Sequence, residues 1–158
     1  MKQMHILFFI LATLLSCNKN DEKTQIQDLL IGQWKLTAFV DEENGTSIES
    51  SDPNYFDPVD DTEVLIIINF KENSEYEGVT SRNTFGGDYT LNNSETVLIF
   101  YDFFTTDVNE SEFGYLFFDN LQLNFNTQTQ NYENSFELNE NVLKLYYSGK
   151  EYMKFVRQ

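Results

Sequence analysis

Gly32-Gln33-Trp34-Lys35-Leu36-Thr37-Ala38-Phe39-Val40 is the stretch on which the reading of this chain turns. Trp34, Leu36, Ala38 and Val40 alternate with Gln33, Lys35, Thr37 and Phe39. A period of two sends the two sets to opposite faces of a β-strand, whereas a helix repeats its apolar positions every three or four residues. On the N-terminal side, Thr24 to Leu30 is predicted as a short helix. Thr24 caps it, Ile26, Leu29 and Leu30 share a face, and Gly32 stops it.

Toward the C-terminus the strand pattern recurs. Asp41 to Asp61 reads as a long acidic loop with eight carboxylates, both prolines of the chain (Pro53 and Pro58) and an Asn44-Gly45 turn signal. Val64 to Phe70 is an Ile-rich run suited to a strand covered on both faces. Glu75 to Thr80, Phe85 to Leu91 and Thr96 to Phe104 read as further strands, and Gly86-Gly87 marks a bulge or bend. Between Asn109 and Asn126 the signals conflict. Phe113, Leu116, Phe117 and Leu121 fit a helical face, while Leu121, Leu123 and Phe125 alternate. A short helix or turn followed by a strand is the reading adopted. Tyr132 to Leu138, Val142 to Tyr147 and Glu151 to Arg157 form a last set of strands, joined by tight turns at Asn139-Glu140-Asn141 and Ser148-Gly149-Lys150. The expectation is an all-β or mainly β domain with a short helix: an antiparallel barrel or sandwich of about eight strands.

The first residues carry an address. Lys2 begins a positive n-region, Ile6 to Leu15 is apolar but for Thr13, and small Ser16 precedes Cys17, the sole cysteine. This order describes a secretory signal peptide. The run is too short for a transmembrane helix, which needs about 20 residues. Leu14-Leu15-Ser16-Cys17 resembles the lipobox of bacterial lipoproteins, which implies cleavage before Cys17, acylation of its thiol and a membrane-held N-terminus. Asn18 follows, and Lys19 with Asp21-Glu22 resembles the signal that sends some lipoproteins to the outer face of the outer membrane. The chain therefore divides into a signal peptide over 1–16, an acylated cysteine, tether and short helix over 17–30, and one β domain over 31–158. The expected home is the outer membrane, lipid-anchored and cell-surface exposed.

Composition narrows the chemistry. Ten Lys+Arg stand against 26 Asp+Glu, a net charge of −16, which repels phosphate backbones and argues against nucleic-acid binding. Fifteen Phe and nine Tyr supply the core that a disordered acidic chain lacks. His5 is the only histidine and leaves with the signal peptide. With Cys17 acylated, the mature domain has neither imidazole nor free thiol, so Ser-His-Asp triads, Cys/His zinc sites and disulfides are excluded. Two carboxylates can run glycoside hydrolysis without histidine, but in so acidic a chain a suitable pair singles nothing out. The domain is read as non-catalytic.

Two further stretches carry resemblances. Ile31-Gly32-Gln33-Trp34-Lys35-Leu36 is similar to the Gly-x-Trp opening of lipocalins and lipocalin-like lipoproteins, in which the Trp plugs one end of a barrel. Asn83-Thr84-Phe85-Gly86-Gly87-Asp88-Tyr89-Thr90 resembles the Cys-Asn-x-Phe-x-Gly-x-Tyr segment of META-domain (heat-shock HslJ-like) proteins, and Leu143 to Phe155 resembles that family's closing hairpin. Arg82 stands where the family has its cysteine, which removes any disulfide or redox role. The resemblance implies a small β-rich domain of an envelope lipoprotein, without a general catalytic activity to carry over.

Three candidate sites follow. Asp57, Asp60, Asp61 and Glu63 lie close together in the acidic loop; calcium takes about six to eight oxygens, which such a loop can supply, although the spacing is not that of an EF-hand. Trp34, Phe70, Tyr89, Phe100 and Tyr146 are candidates to line a barrel interior for an apolar ligand, or else simply to fill it. Tyr55 and Phe56 are candidate contacts for a sugar or an envelope protein. No cofactor is expected beyond calcium.

Overall fold

The computed structural model describes residues 26–57, 63–92 and 96–158. A helical turn over 26–30 (α1) leads into β1 (Gly32–Asp41). There follow β2 (Thr46–Glu49), β3 (Ile67–Phe70), β4 (Glu75–Val79), β5 (Thr84–Asn92) and β6 (Val97–Thr105). A helix, α2 (Glu112–Gln122), then precedes β7 (Phe125–Asn126), β8 (Asn131–Leu138), β9 (Val142–Ser148) and β10 (Glu151–Arg157). The strands pair antiparallel in the order β10-β9-β8-β6-β5-β4-β3-β1, and β10 returns to pair with β1. That closure makes an eight-stranded antiparallel barrel. Closure leaves the barrel strands without a free edge row, the ordinary hazard of Ile- and Phe-rich strands.

Alternation sets the inside. Trp34, Leu36, Ile68, Phe70, Tyr89, Leu98, Phe100, Leu143, Leu145 and Phe155 are all buried. One departure from strict alternation is instructive. A register shift in β1 between Leu36 and Ala38, against β10, inserts an extra residue. Beyond it Phe39 is buried and Val40 half-buried, the reverse of what a straight strand predicts. The β5–β6 register shifts between Gly86 and Asp88, beside the glycine pair, but the extra residue lies on the β6 side, between Phe104 and Tyr101.

Three expectations change. The run 64–70 is covered on one face only: Val64, Ile66 and Ile68 are buried, while Leu65 is exposed and Ile67 half-buried. The acidic stretch is not a plain loop. It holds β2, which hydrogen-bonds to β1, and a 3-10 turn over Pro53–Tyr55 capped by Asp52. In the ambiguous stretch the helix prevails through Gln122 and takes Leu121 with it, leaving a two-residue strand. Local chemistry explains why. The Ser111 hydroxyl accepts from the Gly114 N–H at 3.1 Å as N-cap, Glu112 sits in the first turn where a negative charge favours the helix, and Phe113, Phe117 and Leu121 make one buried stripe.

The two ends of the barrel differ. At one, the Trp34 indole is fully buried and donates to the Leu30 carbonyl at 2.7 Å, fastening α1 beneath the barrel. The Arg157 guanidinium lies 4.3 Å from the centre of that ring. It also donates to the carbonyls of Glu140 at 2.8 Å, Ile31 at 2.9 Å and Leu29. At the other end α2 folds in over the rims of β1 and β5. Phe113 meets Phe39 at 4.8 Å between ring centres, and Phe117 meets Phe85 at 5.1 Å.

Candidate functional site

The predicted interior rings meet one another. Phe70 packs edge-on to Tyr89 at 5.0 Å and stacks with Phe100 at 6.1 Å, and Tyr76 adds an edge contact to Phe100 at 4.9 Å. Ring pairs at these separations contribute about 0.5–1.5 kcal/mol each beyond burial. The Tyr89 hydroxyl reaches the Lys71 carbonyl at 2.9 Å. Trp34 belongs to the closed end. Tyr146 is not inside. Leu143 and Leu145 point inward, so Tyr146 stands on the outer wall. There it faces its cross-strand partner Tyr152 at 5.3 Å, with the Lys144 ammonium 4.6 Å from the Tyr152 ring. Burial and a hydrogen bond with Glu137 raise the Tyr146 phenol above its ordinary value.

Of the acidic set, Asp57 and Glu63 are described, and each is held by other side chains. The Asp57 carboxylate is buried and bound at both oxygens by Arg82, through Nε at 2.8 Å and through Nη2. Glu63 accepts from the Ser50 hydroxyl at 2.6 Å and from Lys35 at 2.9 Å, which together hold its carboxyl below the usual range. Each carboxylate therefore already has a cation of the chain. Among the described residues no group of three or more His, Cys, Asp or Glu is placed to hold a metal ion. Asp60, Asp61 and Cys17 lie outside the described residues. Tyr55 is half-buried against Phe113 at 6.4 Å, so it props α2 rather than standing free.

Beneath α2 lies a polar network that sequence reading missed. Glu110 is 7% exposed. Its carboxylate accepts from the Thr80 hydroxyl at 2.5 Å, the Asn83 amide at 2.8 Å and the Ser111 N–H at 3.1 Å. Asn83 also donates to the Val108 carbonyl at 2.8 Å and accepts from the Val108 N–H at 2.9 Å. Arg82 adds a bond to the Asn109 carbonyl at 3.2 Å. The β4–β5 turn, the chain entering α2 and the acidic loop are thereby tied into one rim. Each group answers another, as buried polar groups must.

The outer wall over β3–β6 carries two adjoining grooves. One, of about 360 Å³, is lined by Gln33, Ile67, Asn69, Val79, Phe85 and Phe104. The other, of about 390 Å³, is lined by Lys71, Glu75, Glu77, Asp88, Asp102 and Phe104. Phe104 lines both and is 59% exposed. Its ring lies across Gly86, where an added Cβ would come within 3.0 Å of it, so a glycine there lets the ring lie flat on the strand. Lys71 binds Glu77 at 2.7 Å, which holds that carboxyl low. The signal available in the sequence was Gly86-Gly87 opposite Phe103-Phe104. What it lacked was the shifted β5–β6 register.

No family model matches the chain, and no curated protein matches it. Solved structures do. A DUF4847 family protein from Bacteroides vulgatus ATCC 8482 is 16% identical, with a TM-score of 0.53 over 84% of this chain and 97% of that one. A protein from Burkholderia xenovorans, determined by NMR, is 15% identical, with a TM-score of 0.55 over 85% of this chain and 87% of that one. At such identities the likeness is one of fold: the chain is a closed antiparallel β-barrel with a helix across one end.

Proposed function

We propose that the protein is a lipid-anchored lipoprotein of the bacterial outer membrane, META-like or lipocalin-like in kind. Its barrel serves without catalysis, as a scaffold that binds a partner on its outer wall. The observation that carries the binding half is the pair of outer-wall grooves beside exposed Phe104, while the mutual packing of Phe70, Tyr76, Tyr89 and Phe100 favours a filled lumen over a cup for an apolar ligand. The anchor half rests on the order of Lys2, the apolar run Ile6 to Leu15, Ser16 and Cys17. α1 joins β1 at the Trp34 end, so a tether from Cys17 would enter the domain at that end.

Intact mass of protein extracted from its host tests both halves. The expected species begins at Cys17, carries acyl chains, and retains no apolar small molecule after gentle extraction. A mature form without added hydrocarbon would end the anchor reading. A lipid or pigment released only on unfolding would replace the scaffold by a carrier.

A further inference from the structure

Four of the seven large apolar side chains that stand exposed among the described residues belong to one neighbourhood: Leu65, Val79, Phe104 and Val108. Each is tied to the β4–β5 hairpin. The Leu65 N–H donates to the Ser81 hydroxyl at 3.1 Å. Val79 sits in β4 opposite Thr84. Phe104 covers Gly86, and Val108 is hydrogen-bonded to Asn83 at both its N–H and its carbonyl. Exposed apolar side chains scattered singly need no explanation; a gathered set beside a groove is how interaction surfaces look.

The charge around it selects the occupant. Glu75, Glu77, Asp88 and Asp102 line the groove on the far side of Phe104, and the single cation among its described lining residues, Lys71, is held by Glu77 at 2.7 Å. A second copy of this chain would set one surface of net charge −16 against another. An anionic lipid surface meets the same repulsion. What complements the pair of grooves is a protein segment with an aliphatic or aromatic side chain for the Ile67–Val79–Phe104 groove and a lysine or arginine for the acidic one. We propose that the outer face of β3–β6 docks such a cationic, apolar segment of a partner protein, with Phe104 as its anchor. The proposal deepens the scaffold reading above. Its test does not involve the lipid anchor, so the two can fail separately.

The full chain, kept in a mild non-ionic detergent whether or not it is acylated, is titrated into a fluorescent hexapeptide of alternating lysine and leucine, with detergent alone as background and anisotropy as the readout. The expected result is saturable one-to-one binding that weakens as salt is raised. A lysine–serine peptide and a glutamate–leucine peptide should each bind at least about tenfold more weakly. Phe104→Ala should weaken the lysine–leucine peptide about tenfold, Val79→Ser and Asp88→Asn severalfold. Glu137→Gln, the same change of charge on the opposite wall, should leave it unchanged. Circular dichroism melts establish that each variant is folded, and Phe104 and Val79 are both surface positions.

Equal binding of the lysine–serine peptide would overturn the proposal, as would identical behaviour of Phe104→Ala and Glu137→Gln, since bulk charge would then account for everything. A Phe104-dependent dimer in sedimentation would assign the surface to a second copy. Phe104-dependent attachment to phosphatidylglycerol vesicles would assign it to membrane.

Discussion

At the Trp34 end of the barrel one indole, one guanidinium and a few backbone carbonyls accomplish what at the opposite end takes an eleven-residue helix and a network centred on Glu110, Thr80 and Asn83. The first seal is mostly apolar burial, with its one cation answered by carbonyls and by a ring face. The second is a plug held in place by directional bonds. Burial tolerates small displacement but not lost volume. A bonded network tolerates neither a missing partner nor a displaced one. The ends should therefore fail in different ways, and mutations can tell them apart.

The largest effect belongs to the burial end. Trp34→Ala removes a fully buried ring, the donor to Leu30 and the surface on which Arg157 rests. It should cost about 3–5 kcal/mol in chemical denaturation followed by circular dichroism. Trp34→Phe keeps much of the volume and should recover more than half of that loss. Equal costs for the two would mean that the indole bond, rather than burial, seals this end, and the contrast between the ends would collapse.

The bonded end is probed next, at Gly114. A Cβ there would overlap the Glu110 side chain, which is buried and cannot swing away without leaving Thr80 and Asn83 unanswered. Helix propensity alone favours alanine over glycine by about 1 kcal/mol. Overpacking costs about 1–3 kcal/mol, and losing network bonds adds to it. The clash wins, so Gly114→Ala should destabilise by about 1–2 kcal/mol. In a Glu110→Ala background the obstacle is gone and the same change should turn neutral or stabilising. Additive effects of the two substitutions would mean that Glu110 does not position α2.

A third variant should stabilise. The Tyr76 hydroxyl is buried and has no hydrogen-bond partner among the described residues. Tyr76→Phe removes that cost and should raise stability by about 1 kcal/mol at neutral pH. The alkaline limb should respond as well. Burial holds the Tyr76 phenol well above its ordinary value and pushes Tyr147 up to about 12. A raised folded value means stability that is complete below about pH 10, the unfolded phenol value, and lost as pH rises through the folded value. The protein should therefore weaken between pH 10 and 12 as its tyrosines ionise on unfolding, which absorbance at 295 nm follows, and Tyr76→Phe should weaken less. A variant no more stable than the parent would show that this hydroxyl is satisfied in solution.

How much of this was legible in the sequence depends on the range of the interaction that decides it. Period-two alternation is local, so β1, β5, β6 and the three C-terminal strands could be read directly. The Phe39–Val40 inversion could not, because the bulge in β1 arises from its pairing with β10. Tyr146 could have been placed correctly from Leu143 and Leu145 alone, since alternation puts it on the other face. Whether aromatic side chains line a lumen or fill it depends on how several strands close together, and a list of aromatics does not contain that. Asp57 looked like part of a calcium cluster because its neighbours in sequence are acidic. Its actual partner, Arg82, is brought in by the fold. The grooves beside Phe104 needed both a local glycine pair and a nonlocal register shift, and only the first was visible.

The smallest expected effect tests whether the acidic stretch before β3 matters to the α2 end at all. Glu63 is joined to Ser50 and Lys35, and its side chain is 38% exposed. Solvent screens an ion pair so placed, and Glu63→Gln should cost no more than about 0.5 kcal/mol at pH 7. The sign with pH is fixed by the same contacts. Ser50 first, then Lys35, hold the carboxyl low in the folded protein, so its contribution is complete above the unfolded carboxylate value of about 4.3 and disappears as pH falls through the lower folded one. Parent and variant should therefore converge in acid denaturation below pH 4. Asp57 differs: it is buried, and Arg82 grips both of its oxygens. Asp57→Asn should cost several times more than Glu63→Gln, because it gives up a buried, two-oxygen pair of charge-assisted bonds. Reversed ranks would move the fastening of this segment from the α2 rim to the Lys35 side of β1, and with it the line between the bonded end and the apolar one.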